Sequence, residues 1–198
     1  MFLLSACASN PGTDDAAQTS AQADSIRWQQ HLNGVQKIAG WYVTAKIIIK
    51  SADERFSGYL AWQQNLADYE IDFVGTMGAG AMQITGSAEQ SSLMIPDKPA
   101  YSGSSPEQLL RDNTGYRMPV SQFYYWARGI PNPDLPYQTR LNHRGQLTQL
   151  QQLGWDIEYS DYQPYNDAVL PGKVVMINGE LEIKLIRLNW QAIDSSAP

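Results

Sequence analysis

The chain has one cysteine, Cys7, in 198 residues. A single thiol excludes an internal disulfide and a cysteine-built metal site. A chain of this length builds one domain and a hydrophobic core without either. Basic residues are also scarce: 14 Lys and Arg against 20 Asp and Glu give a formal net charge of −6, and no cationic cluster occurs. That excludes a nucleic-acid interface, which needs grouped Lys and Arg. There are two histidines, His31 beside Gln29 and Gln30, and His143 in the turn-like Asn142-His143-Arg144-Gly145; both read as solvated. The sequence lacks G-x-S-x-G, H-E-x-x-H, a P-loop and G-x-G-x-x-G. Gly75, Gly78 and Gly80 make a small glycine-rich stretch, but no basic residue adjoins it to hold a phosphate. No catalytic residue, metal or cofactor is expected, and the chain does not read as an enzyme. No apolar run is long enough to cross a bilayer as a helix.

What is present begins at the N-terminus. Leu4-Ser5-Ala6-Cys7 has the form of a lipobox: an apolar residue, two small ones, then a cysteine positioned to receive diacylglycerol. Only Met1-Phe2-Leu3-Leu4 precede the cysteine's small neighbours, against the basic stretch and ~7–15 apolar residues of a full signal peptide. Residues 1–7 therefore read as a remnant signal peptide and lipobox, with Cys7 as the lipid attachment site. Residues 8–24 are small and polar and read as a flexible tether, because they bury too little to repay chain entropy. Residues 25–198 read as the folded domain.

Within that domain the apolar period changes twice. Ile26, Trp28, Leu32, Val35 and Ile38 fall near one stripe and predict a helix over 25–39, capped by Asp24 or Ser25. From Trp41 the period becomes two. Trp41, Val43, Ala45, Ile47 and Ile49 alternate with polar or opposite-facing residues, as do Phe56, Gly58, Leu60 and Trp62, then Tyr69, Ile71 and Phe73, then Met82 and Ile84. Four strands with short connections predict an antiparallel meander. Ser105-Pro106-Glu107 is a helix start, and Pro119 leads into a second short helix near 121–128, stopped by Gly129 and Pro131. Strands resume at 147–150, 155–159, 174–177 and 181–190. Asn178-Gly179 predicts a type I′ hairpin between the last two. Arg187 is out of step: strict alternation turns it inward unless the phase shifts near Leu188.

About ten strands and few helices imply a strongly curved sheet or barrel, with the mid-chain helices across its concave side. Such a sheet can enclose a cavity. Its walls are Trp41, Val43, Ile47, Ile49, Leu60, Trp62, Ile71 and Phe73, with no acid or base among them, and would suit hydrocarbon. The plainer alternative, that these side chains form only a packed core, stays open on alternation alone.

Taken in order, several short segments resemble the LolB family: the lipobox and tether, Trp28-Gln29-Gln30-His31, Leu60-Ala61-Trp62-Gln63-Gln64, Tyr69-Glu70-Ile71, Met118-Pro119-Val120, Trp126-Ala127-Arg128-Gly129-Ile130-Pro131, Trp155-Asp156-Ile157-Glu158-Tyr159, Leu170-Pro171, Ile183-Lys184-Leu185 and Asn189-Trp190. The resemblance implies a mainly β (α+β) fold, a strongly curved antiparallel sheet forming a half-open β-barrel with a few helices over an apolar cavity. It implies an outer-membrane lipoprotein receptor, lipid-anchored and facing the periplasm. Such a receptor takes cargo lipoproteins by their acyl chains from the periplasmic carrier LolA and inserts them into the inner leaflet. It implies no enzyme activity, no cofactor and a monomer. It places an exposed aliphatic residue in a membrane-insertion loop, which falls here on Gly75, Thr76, Met77 and Gly78. The family often has Pro-Leu-Gly there, where this chain has Thr-Met-Gly; Met is large, apolar and unbranched. The competing reading is another periplasm-facing lipid-binding or sensor lipoprotein on a similar fold.

Overall fold

The computed structural model describes residues 12–53, 55–76 and 80–193, with side chains of the first helix from residue 22. Cys7, Met77 and Gly78 lie outside the described residues, as does the start of the segment read as a tether. Among the described residues there are three helices and thirteen strands.

Helix α1, Gly12–Gln36, starts well ahead of the expected Ser25. The extension has a local cause: Ala16, Ala17, Gln18, Ala21, Gln22 and Ala23 are good helix formers, and no Pro or Gly interrupts residues 13–33. Composition marked the stretch as unable to bury a core, but propensity does not require burial. Asp24 is consequently no cap; it pairs with Arg27 one turn on, at 2.7 Å. Ile26 faces solvent, while Trp28 and Val35 are buried.

The strands β1 (Gly40–Lys50), β2 (Arg55–Asn65), β3 (Asp68–Gly75), β4 (Met82–Gly86), β5 (Ser91–Met94) and β6 (Tyr101–Gly103) form the first meander, two strands longer than expected. Helices α2 (Pro106–Thr114) and α3 (Val120–Trp126) follow. The second half supplies β7 (Tyr137–Leu141), β8 (Leu147–Gln152), β9 (Trp155–Ser160), the short pair β10 (Gln163–Tyr165) and β11 (Ala168–Leu170), then β12 (Lys173–Asn178) and β13 (Leu181–Gln191). Eleven strands make one antiparallel sheet, in the order β6-β5-β4-β3-β2-β1-β13-β12-β9-β8-β7. The two meanders are joined where β1 pairs with β13. The edge strands β6 and β7 do not pair with each other, so the barrel is half open.

The hairpin between β12 and β13 differs in detail from its expected turn. Asn178 still pairs with Leu181, so the two loop residues are Gly179 and Glu180. Only Gly179 has a positive φ, +58°, the pattern of a type II′ rather than a type I′ turn.

Arg187 resolves its own ambiguity. Between the pairs Thr44–Asn189 and Lys46–Ile186, β1 has one residue and β13 has two. That is a β-bulge, and Arg187 carries a left-handed φ of +57° within it. The extra residue shifts the phase. Arg187 turns outward, and Leu188 and Trp190 point into the core.

Candidate functional site

The inward side chains of the sheet line up across strands. Trp190, Val43, Trp62, Ile71, Ile84 and Leu93 form one row, each paired with the next. Ile49, Ile183, Met176, Ile157 and Leu150 form a second through the other half. All eight side chains expected to wall a cavity, Trp41, Val43, Ile47, Ile49, Leu60, Trp62, Ile71 and Phe73, lie on this concave floor and are buried. Trp41 packs against Trp62 at 4.9 Å and Trp190 at 5.2 Å between ring centroids.

Two helices cover the floor. Ser105 caps α2 by accepting from the Gln108 amide at 3.2 Å. Glu107 then accepts from the Ser121 amide at 2.7 Å, which fixes the start of α3 beside the start of α2. Gly115, with φ +78°, ends α2. At the other end of α3, Trp126 donates its indole N–H to Gln152 Oε1 at 2.8 Å. Phe123 and Trp126 face the core.

Arg128 follows, only 2 % exposed. Its guanidinium lies 3.9 Å over the Tyr124 ring, and its Nε donates to the Tyr124 carbonyl at 2.8 Å. Burial pushes its pKa down, against the raising effect of Tyr124 and Tyr125. It is a covered structural cation of the helix end, not a free charge in the cavity.

Where helices and floor meet, a groove opens at each end of the barrel. One, of about 210 Å³, lies between the β2–β3 turn and the helices, lined by Trp62, Leu66, Tyr69, Pro106, Val120 and Tyr124 among others. The other, of about 370 Å³, lies toward the 76–80 connection, lined by Phe56, Met82, Ile95, Lys98, Thr114 and Tyr116 among others. Of the eight expected wall residues only Trp62 opens on either groove; the other seven are buried and line neither.

Sequence reasoning missed Leu66, Tyr69, Phe56 and Tyr116 as groove residues. Leu66 did carry a signal: it stands in a tight turn where polar residues are usual, has φ +55° and is 69 % exposed. The others depend on where α2 lands, which no local pattern encodes.

Two buried donors on or near the floor have no partner among the described residues, Trp41 Nε1 and Tyr159 Oη. Burial raises the Tyr159 phenol pKa well above its ordinary value, with the nearby Tyr162 adding to the effect. His31 departs from its expected solvation. It is half-buried, stacks on Trp28 at 5.8 Å, meets Tyr162 edge-on at 6.1 Å, and places Nε2 3.4 Å from the Gly129 carbonyl. Burial lowers its pKa and the Gly129 contact raises it less. His143 is exposed, as expected.

Beside the expected insertion loop, Gly75 pairs with Gly58 and the Thr76 hydroxyl donates to the Ser57 carbonyl at 2.6 Å. Among the described residues, no three His, Cys, Asp or Glu side chains converge as metal ligands. Among them, too, no helix is long and apolar enough to cross a membrane.

The family model described as "Outer membrane lipoprotein LolB" matches residues 39–190. Two curated relatives named "Outer-membrane lipoprotein LolB" are similar over nearly the whole chain. That of Pseudomonas syringae is 32 % identical over 189 residues, 96 % of this chain and 91 % of the relative. That of Pseudomonas aeruginosa is 33 % identical over 191 residues, 96 % and 92 % respectively. Among solved structures, a LolA superfamily protein from Nitrosomonas europaea superposes with a TM-score of 0.51 at 8 % identity, covering 85 % of this chain and 91 % of that one. A domain described as an outer membrane lipoprotein-sorting protein, from Vibrio parahaemolyticus, gives 0.50 at 9 % identity, covering 92 % and 95 %. At these identities the structures speak for the fold: a curved antiparallel sheet with helices on its concave side.

Proposed function

The chain belongs to the LolB family of outer-membrane lipoproteins, and from that premise we propose that it accepts lipoproteins from the periplasmic carrier LolA and inserts them into the inner leaflet of the outer membrane. Its general role is lipoprotein sorting, and it performs no chemical reaction. The observation that carries the reading is the apolar floor. It runs without a charged side chain across the strands, is covered by two short helices, and is open at both ends.

Acyl chains are the matching ligand. Each methylene removed from water contributes about 0.8 kcal/mol, so a shuttle must shield the chains throughout. With no nucleotide site in the sequence, transfer runs downhill in affinity, from carrier to this receptor to bilayer. The grooves of about 210 and 370 Å³ lie below or at the low end of the ~300–1,000 Å³ of pockets that bury a mid-sized ligand, and seven of the eight wall residues line neither. Uptake therefore requires α2 and α3 to move off the floor, after which the eight wall residues, Trp41 and Trp62 foremost, line the acyl site. Cys7 carries the lipid that holds the receptor at its destination, since several chains anchor stably where one does not. The stretch Gly75, Thr76, Met77, Gly78 serves delivery, with Met77 as the aliphatic residue that meets the leaflet. The receptor acts as a monomer.

The test mixes the purified protein with LolA loaded with a lipoprotein and follows the cargo by pull-down of each protein, then adds outer-membrane vesicles. Cargo moves to the wild-type chain and on to the vesicles. Met77→Glu accepts cargo and stalls delivery; loss of acceptance instead would remove Met77 from its assigned step. Cargo staying on LolA with the receptor folded would favour a lipid sensor.

A further inference from the structure

Three outward-facing apolar side chains cluster on β2, β3 and β5, beside the end of the barrel where β3 connects to β4. Tyr59 is 64 % exposed, Val74 42 % and Met94 48 %. Tyr59 and Val74 are direct cross-strand partners. Two shallow outer grooves meet at Val74. One, of about 370 Å³, holds Lys46, Tyr59, Asp72, Val74 and Arg187; the other, of about 420 Å³, holds Asp72, Val74, Met94 and Lys98.

The charges around the patch are three cations and one carboxylate. Lys46, Arg187 and Lys98 fringe the patch, and among the described residues none of the three makes an ion pair. The single carboxylate lining both grooves, Asp72, accepts from Gln83 Nε2 at 2.9 Å. This is unusual in a chain of net charge −6. The bulge in β13 bears on it directly. Without the extra residue Arg187 would point into the core; with it, the guanidinium joins Lys46 on the outer face. Three other exposed apolar side chains at this end, Tyr137, Leu153 and Ile177, lack the cationic fringe. Ile177 is paired with Asp156 on one side and Glu182 on the other.

A tyrosine and aliphatic side chains framed by cations whose stems can lie along apolar surface match a membrane interface. Val74 is two residues from Thr76, so the patch adjoins the delivery loop. We propose that the outer face of β1–β5, through Tyr59, Val74 and Met94 with Lys46, Arg187 and Lys98, docks on an anionic phospholipid bilayer. It thereby sets the tilt at which the β3–β4 connection meets the leaflet. This rests on the reading that the chain delivers cargo to a bilayer.

The experiment uses the full chain with Cys7→Ala, which leaves no other thiol. Tyr59→Cys is labelled with an environment-sensitive fluorophore, and Glu158→Cys, on the outer face of β9, is labelled as a control. Vesicles of phosphatidylethanolamine and phosphatidylglycerol should blue-shift the probe at 59 and leave that at 158 unchanged. Lys46→Gln, Arg187→Gln and Lys98→Gln should each weaken vesicle binding about five-fold, and phosphatidylcholine vesicles should bind more weakly than anionic ones. An unmoved probe at 59 alongside a shifted probe on Met77→Cys would overturn this face and leave the delivery reading standing. No shift at either position would overturn both. A shift at 59 caused by LolA but not by vesicles would assign the face to a protein partner and overturn the proposal.

Discussion

Gln152 is the buried polar residue on which α3 hangs. Its Oε1 accepts from Trp126 Nε1 at 2.8 Å and from the Asn132 amide at 3.0 Å. Its Nε2 donates to the carbonyls of Asn132 at 2.8 Å and Leu135 at 3.3 Å. One amide thus ties the end of α3 and the following loop to β8. Gln152→Leu keeps the approximate shape and removes all four bonds. Trp126 is fully buried, so its indole N–H is left without water, at ~1–3 kcal/mol for a buried orphan donor. Asn132 and Leu135 are half-exposed, so water partly replaces their lost partners and they add less. The expected total is about 3 kcal/mol, which for a chain of this size lowers Tm by ~6–12 °C. Thermal unfolding followed by circular dichroism measures it. In a Trp126→Phe background the donor is already gone, so Gln152→Leu should cost ~1–3 kcal/mol less there than in the wild type. A Tm shift under ~2 °C, or full additivity of the two changes, would refute the assignment of Gln152 as the latch. The functional consequence follows from population arithmetic: if α3 must leave the floor to admit an acyl chain, weakening its latch raises the apparent affinity for a fluorescent fatty acid.

Tyr159→Phe removes a fully buried hydroxyl that has no partner among the described residues, so stability should be unchanged or rise by up to ~1–2 kcal/mol; a loss above ~1 kcal/mol in denaturant titration would show an unseen partner. Gly58→Ala sets a methyl 2.4 Å from the Val74 carbonyl oxygen and 2.9 Å from Gly75 Cα, which must push β2 and β3 apart. The expected cost is ~1–3 kcal/mol, read in the same titration, with faster amide exchange at Gly75. His31 has a folded-state pKa below its ordinary 6.5 because burial opposes the charged ring. The unfolded chain therefore binds the proton more readily, and stability is full above pH 6.5 and falls as pH drops below it. His31→Gln should flatten that part of the stability–pH curve, and an unaltered slope would refute the role of His31.

Alternation along β1, β2 and β3 was legible in the sequence because a strand's side chains point to opposite faces with a period of two, whatever the strand packs against. Trp41, Val43, Ile47, Ile49, Leu60, Trp62, Ile71 and Phe73 are therefore on one face in the structure as in the pattern. The cap Ser105, Pro106 and the stop at Gly129 are equally local, and α2 and α3 stand close to where these residues place them. What the pattern had no means to decide is the content of the concave side. Whether the floor is an open cavity or lies beneath helices depends on where α2 and α3 settle. That is set by long-range bonds such as Trp126 to Gln152 and Glu107 to Ser121, between residues far apart in the chain. The same holds for the shared face of Tyr59, Val74 and Met94, which come from three strands, and for the outward turn of Arg187. Its bulge exists only because β13 must stay in register with β1 while keeping Leu188 and Trp190 in the core. Periodicity belongs to each segment alone, whereas a groove, a latch or a surface patch is a relation between segments, and packing alone sets it.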